Sequence, residues 1–300
     1  MTRIFASPLF RLALFAAALL LLPALALLLA EQDWPEARMI VGHTTRPLLL
    51  SCLLLAVLGV VLDALTALRT GSSLLRKQRS YLLWCAVAGA GSAMLLAWLN
   101  LFVTSWISPA ISTTEMLLLS ALAGAIMLPA VLIVRLWLAG FDGLSRSCSR
   151  LPALPVAEAE LSAALLLLAA LIGLLGGAVW PERMYWLLWP SPLLLLAALQ
   201  LLWHESTVFS GLKQGDWSRV LLGAASGILV AAFALAAYRL YGGALYIRHA
   251  TPFVTLAFAA YGLLCLQLGD LVAEHWRGKS MMQVFQSKKP FPISVVSRKD

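Results

Sequence analysis

Few side chains in this 300-residue sequence could do chemistry, and four of them sit inside long apolar runs: Asp63, Arg135, Arg239 and Asp270. An ionised group in hydrocarbon is costly, so such residues mark ion or proton pathways or else pair with one another. Asp63 and Arg135 fall at similar depth and are expected to neutralise each other. Arg239, near the opposite end of its run, is expected to face Asn100 if a polar pathway exists. The structural alternative for all four charges is snorkelling to an interface or ion pairing. Histidine offers a second chemistry. His43 and His249 fall on one side of the apolar runs and His204 and His275 on the other, the arithmetic of two bis-histidine haems. None of them has a second histidine or a cysteine three or four residues away, as ligands on one helix face would require. Haem is therefore rejected, and neither cofactor nor metal is expected. No nucleotide-binding glycine loop, His-Glu-x-x-His, Gly-x-Ser-x-Gly or carboxylate pair lies on any run.

The elements that position these residues follow from composition. With 61% hydrophobic and 12% charged residues, the chain has about half the charge of a soluble domain. Several apolar runs approach the ~20 residues that cross a bilayer as a helix. They lack the alternation of barrel strands, and lipid leaves no backbone group unsatisfied, so the expected class is an all-α membrane protein. Eight spans are expected, near 12–30, 48–68, 81–107, 116–138, 161–180, 185–203, 218–242 and 253–273. Arg3 and Arg11 before the first run also suit a signal peptide, but the run continues past its acceptable cleavage site, and it is read as a retained span. Four cysteines form no Cys-x-x-Cys pair and are expected to be packing residues.

The spans are expected to form two parallel four-helix repeats. Trp34-Pro35-Glu36 recurs as Trp180-Pro181-Glu182, each after an uncharged apolar run and each followed by a proline and a leucine run. The repeats occupy residues 1–140 and 161–275, joined by a linker at 141–160 and followed by a basic tail at 276–300. Equal orientation of the halves puts the pseudo-axis along the membrane normal. Gly223 and Gly227 form a GxxxG in span 7, and Gly89 and Gly91 are its small-residue counterpart in span 3. Small residues let helix backbones approach closely, so spans 3 and 7 are expected to be the central, contacting pair.

Orientation follows from counting Lys and Arg. Sixteen lie on the side of the termini and the linker, four in the opposite loops and two within spans. The positive-inside rule then places both termini in the cytoplasm of a bacterial inner (cytoplasmic) membrane, with both Trp-Pro-Glu loops outside. The net charge of +8 is thus topological and does not indicate nucleic acid. The basic tail is expected to lie on anionic headgroups, at about 1 kcal/mol per basic residue.

Leu62-Asp63-Ala64, Trp98-Leu99-Asn100 with Trp106, Trp180-Pro181 with Trp189, and Gly215-Asp216-Trp217-Ser218-Arg219 together resemble a family of uncharacterised bacterial multi-pass membrane proteins with an internal duplication. The resemblance runs over about residues 48–273 and implies the duplicated architecture. That family looks to carry a Trp-Glu…Asn cluster in each repeat, whereas here span 3 keeps only Trp98 and Asn100 and span 7 has no acid. The sequence leaves three functional classes. A membrane-embedded scaffold or accessory subunit, contacting other membrane proteins and the lipid bilayer, fits the scarcity of buried polar groups best. A transporter with a pathway between the repeats is the alternative, and a membrane enzyme is third.

Overall fold

The computed structural model describes residues 45–70, 73–108, 112–154, 158–203 and 205–277, with the side chains of residues 275–277 left aside. Span 1, Trp34, Pro35, Glu36, His43 and His204 lie outside these residues, as do the side chain of His275 and most of the tail. Within them the protein is an all-α membrane protein. Six helices are long and apolar enough to cross a bilayer: α1 (Thr45–Thr70), α3 (Arg79–Val103), α4 (Thr113–Ala139), α6 (Ala159–Val179), α9 (Ser218–Leu240) and α10 (Thr251–Arg277). They correspond to expected spans 2, 3, 4, 5, 7 and 8. Short helices α2 (Leu74–Lys77) and α5 (Asp142–Cys148) lie in the connections.

Expected span 6 is not one straight helix. It is a pair, α7 (Pro181–Leu188) and α8 (Ser191–Leu202), bent by 47°. The sequence explains the break. Pro190 and Pro192 have no N–H to donate, and each disfavours helical backbone in the residue before it. The start of α7 is equally local: Trp180 caps α6 by donating its N–H to Gly176 O, and Pro181 occupies the first turn, where a missing N–H costs nothing. Glu182 follows in that turn. At α4, Ser112 and Glu115 form a reciprocal capping box.

Small residues set the packing, with partners other than those expected. In α9, 61% of the central window is buried, against 39% or less in every other candidate span, so α9 is the central helix. Its neighbours are α10, α4 and α1, and α3 makes no substantial contact with it. Gly227 meets the backbone of Gly262 on α10, and Gly223 meets Leu266 and Leu263. Gly89 on α3 approaches the backbone of Gly124 on α4, while Gly91 faces open space. The expected contact between spans 3 and 7 is therefore corrected. Each small-residue face packs on the helix that follows it in sequence, because a hairpin partner is already held close by a short connection. Helix α6 is the least buried of the six, with Leu161, Leu165, Leu168 and Leu175 exposed; only Ala163, Ala170, Gly173 and Gly177 are buried, with both glycines against α7 and the start of α8.

The main core lies where α1, α3, α4, α8, α9 and α10 meet, and includes Leu55, Cys85, Leu128, Val131, Leu193, Val230 and Cys265. All four cysteines are free and buried. At one end the turns after α3 and α9 pair as a two-residue antiparallel ribbon, β1 (Trp106–Ile107) with β2 (Tyr246–Ile247), in register Trp106↔Ile247 and Ile107↔Tyr246. At the other end the linker docks on the 205–217 loop: Leu154 N–H donates to Leu212 O at 3.0 Å, and Trp217 N–H to Cys148 O at 3.1 Å.

Candidate functional site

The site grows from the turn after α3. Thr104 has φ 46°, a left-handed conformation in which a β-branched residue is an outlier. Asn100, buried on the last turn of α3, holds that turn in place. Its Oδ1 accepts from Ser105 N–H at 2.9 Å and Trp106 N–H at 3.2 Å, and its Nδ2 donates to Trp106 O at 2.8 Å. Arg248 N–H closes the other side of the turn on Ser105 O at 3.0 Å. Asn100 thus spends its hydrogen bonds on its own turn and does not bind across to Arg239, as the pathway reading expects. Arg239 is half-buried in the last turn of α9, within electrostatic reach of Tyr238.

The turn delivers Ser105 and Trp106 to three residues remote in sequence. His249 Nε2 lies 2.8 Å from Ser105 Oγ. Trp189 Nε1–H donates to the same Oγ at 3.3 Å, and its ring stacks on Trp106 with centroids 4.8 Å apart. Tyr185 stacks flat on the His249 imidazole, at 3.8 Å and 4°. Trp189 reaches this position because the proline break after α7 ends the helix there. Burial, and then the charge of neighbouring Arg248, hold His249 below the ordinary histidine pKa of 6.5, so the neutral imidazole is favoured.

This cluster edges a cavity of about 640 Å³ between the two halves of the chain. Its walls come from α1, α3, α4, α7–α9 and α10, with Leu48, Leu119, Ala234, Ala257 and Phe258 among them. The other hydroxyl side chains in the lining are Ser51, Ser108, Ser120, Tyr238 and Tyr261. The cavity is apolar, with its densest hydrogen-bonding capacity at the ribbon end.

The charges expected to matter lie mainly at the opposite end. Asp270 on α10 forms an ion pair with Arg219 at the start of α9, and Arg135 on α4 lies within electrostatic reach of both. Tyr81 Oη–H donates to Gly269 O at 3.1 Å beside them. Asp63 does not pair with Arg135. Its carboxylate accepts from Ser73 Oγ–H and from Leu74 N–H, tying the start of α2 back onto α1. The nearest anion decides this difference: α10 brings Asp270 up to Arg135. Among the described residues no group of three or more His, Cys, Asp or Glu could hold a metal ion.

Sequence reasoning therefore passed over the residues that converge. Ser105 carries no motif, Tyr185 was unmarked, and His249 entered only as a haem candidate. The available signal was Trp106 and Trp189, which fall in separate halves and meet by stacking. No protein-family model matches this chain, and no curated protein or solved structure is significantly similar to it. The resemblance to duplicated bacterial membrane proteins gains no support from these comparisons.

Proposed function

We propose that this multi-pass membrane protein binds an amphipathic lipid, with its apolar tail in the cavity between the halves and its polar head at Ser105, Trp189 and His249. The carrying observation is the cavity itself: about 640 Å³, apolar along its walls and rich in hydrogen-bonding groups at one end. That volume lies within the usual range of small-molecule sites, and a largely apolar wall with a few converging polar groups selects a ligand of the same character. The bilayer is the source of such molecules. A lipid site shifts the reading away from the pure scaffold. A transport pathway near Asn100 and Arg239 is not favoured, since Asn100 is committed to its own turn.

In this reading the membrane is a bacterial inner membrane, crossed eight times by two parallel repeats, with the termini cytoplasmic and the cavity's polar end outside. Three observations support it. The charge asymmetry of the loops gives the orientation. The Gly89–Gly124 and Gly227–Gly262 approaches follow one another at an equal offset in sequence. The β1–β2 ribbon pairs each residue with the image of its neighbour, as a two-fold axis through the ribbon requires. Contacts of the basic tail with anionic headgroups and of the outer helices with other membrane proteins complete the proposal.

The test is a photoactivatable diazirine-acyl phospholipid, crosslinked to the full-length protein in nanodiscs and mapped by peptide mass spectrometry. Saturable crosslinks to α4, α9 and α10 are expected, reduced by Ala234→Phe and Ala257→Phe, which fill the cavity. Crosslinks confined to outward-facing residues such as Leu68 and Leu165, and unchanged in these variants, would refute lipid binding. For orientation, cysteines at Glu182 and Lys213 should be labelled from opposite sides of intact cells.

A further inference from the structure

Resting on the lipid-binding reading, we propose that Ser105 is a nucleophile and His249 its general base, and that the pair cleaves an ester of the lipid held in the cavity. Four observations converge on this. The Oγ–Nε2 separation of 2.8 Å lies in the range of an activated nucleophile and its base. The pair is pre-positioned on both sides: Ser105 by its backbone bonds to Asn100 and Arg248, and the imidazole by the flat stack on Tyr185. The residue immediately before the serine, Thr104, is held in a left-handed conformation that costs energy, as backbone at functional sites often is. Finally, Ser105 and His249 line the cavity, so the head of a bound lipid meets them directly.

The chemistry balances without a further reagent other than water. Ser105 Oγ attacks the ester carbonyl carbon, its proton passes to His249 Nε2, and the carbonyl π pair moves onto oxygen. The tetrahedral centre then collapses: the bond to the alcohol oxygen breaks, and that oxygen takes the proton from His249. The alcohol leaves and an acyl-serine remains. Water attacks the acyl carbon while His249 takes its proton, and return of that proton to Ser105 Oγ releases the free acid. Trp189 Nε1–H, already directed at Oγ, is a second side-chain donor beside the serine oxygen as charge moves through it. A purely structural role would need the same hydrogen bond but no reactivity, and reactivity is what can be measured.

The measurement uses a fluorophosphonate probe, which phosphonylates nucleophilic serines, on the full-length protein in nanodiscs, run beside the diazirine-lipid crosslink. The expected result is a single modified serine at Ser105, absent in Ser105→Ala. His249→Gln should slow labelling by about 10²-fold or more, the usual contribution of a general base. Trp189→Phe should slow it less, and Ser210→Ala, on the opposite face, should not change it. Maleimide labelling of the buried native cysteines should stay blocked in Ser105→Ala until it is heated, which shows that the variant is folded. If the native protein crosslinks lipid but Ser105 is not labelled, or is labelled equally in His249→Gln, the nucleophile assignment is overturned and the binding reading stands. Labelling at Ser105 without saturable lipid crosslinking would overturn the binding reading, and with it the choice of a lipid ester.

Discussion

Adding one methyl group to α3 at Gly89, compared with the same change at Gly91, isolates the close helix approach that closes this half of the bundle. A Cβ at Gly89 would stand 2.3 Å from Gly124 O and 2.8 Å from Leu128 Cβ, whereas at Gly91 it would meet nothing within 4 Å. An ordinary carbon–oxygen contact is about 3.3–3.6 Å, so α3 and α4 must separate by roughly 1 Å to admit the alanine. Overpacking of this kind costs about 1–3 kcal/mol. Replacing glycine by alanine inside a helix returns about 1 kcal/mol at both positions, so that gain cancels in the comparison. Gly89→Ala should therefore be less stable than Gly91→Ala by about 1–3 kcal/mol, or about 2–8 °C in melting midpoint for a chain of this size. The native cysteines supply the assay. All four are free and buried, and Cys85 lies one turn before Gly89, so a fluorogenic maleimide reports unfolding on heating in detergent. Equal midpoints for the two variants would refute the Gly89–Gly124 approach.

Asn100→Ala should destabilise by about 1–3 kcal/mol, because the Ser105 and Trp106 N–H groups lose their buried acceptor; in the same maleimide melt, an unchanged midpoint would show that the turn is held by other means. Asp270→Asn should cost about 1–3 kcal/mol, a buried-pair penalty reduced because its side chain and that of Arg219 are 33% and 29% exposed. Arg219→Gln should cost less, since Arg135 still faces Asp270; the reverse order in thermal melts would contradict the three-residue cluster. Stability should also depend on pH through His249, which faces Ser105 and Tyr185 and neighbours Arg248. Its folded pKa lies below the ordinary 6.5, so the unfolded chain binds more protons as pH falls and stability drops below about pH 6.5. His249→Gln should remove that part of the slope, and an unchanged pH profile of melting midpoints would count against it.

Much of the architecture was legible in the sequence because it depends on quantities that add along the chain. Run length and scarcity of charge predict the helices α1, α3, α4, α6, α9 and α10, since in lipid each helix must satisfy its own backbone. Their boundaries fall within a few residues of expectation, with Ser112–Glu115 and Pro181 as local start signals. The kink at Trp189–Pro190 was also written locally, in two prolines around Ser191, yet hydropathy averaged it into one span. What the sequence could not supply was who meets whom. Gly89 and Gly227 were recognisable as close-approach residues, but a glycine without a side chain carries no mark of its partner, and Gly124 and Gly262 emerge only from the packed helices. Asp63 and Arg135 shared a depth without sharing a contact, because depth is one coordinate and pairing needs three. The site is the extreme case. Ser105, Trp189 and His249 are separated by 84 and 144 residues across their hydrogen bonds, and each is unremarkable where it stands. Only the pairing of the two strand turns and the break in α7–α8 bring hydroxyl, indole and imidazole to one edge of an apolar cavity, and those are properties of the folded chain.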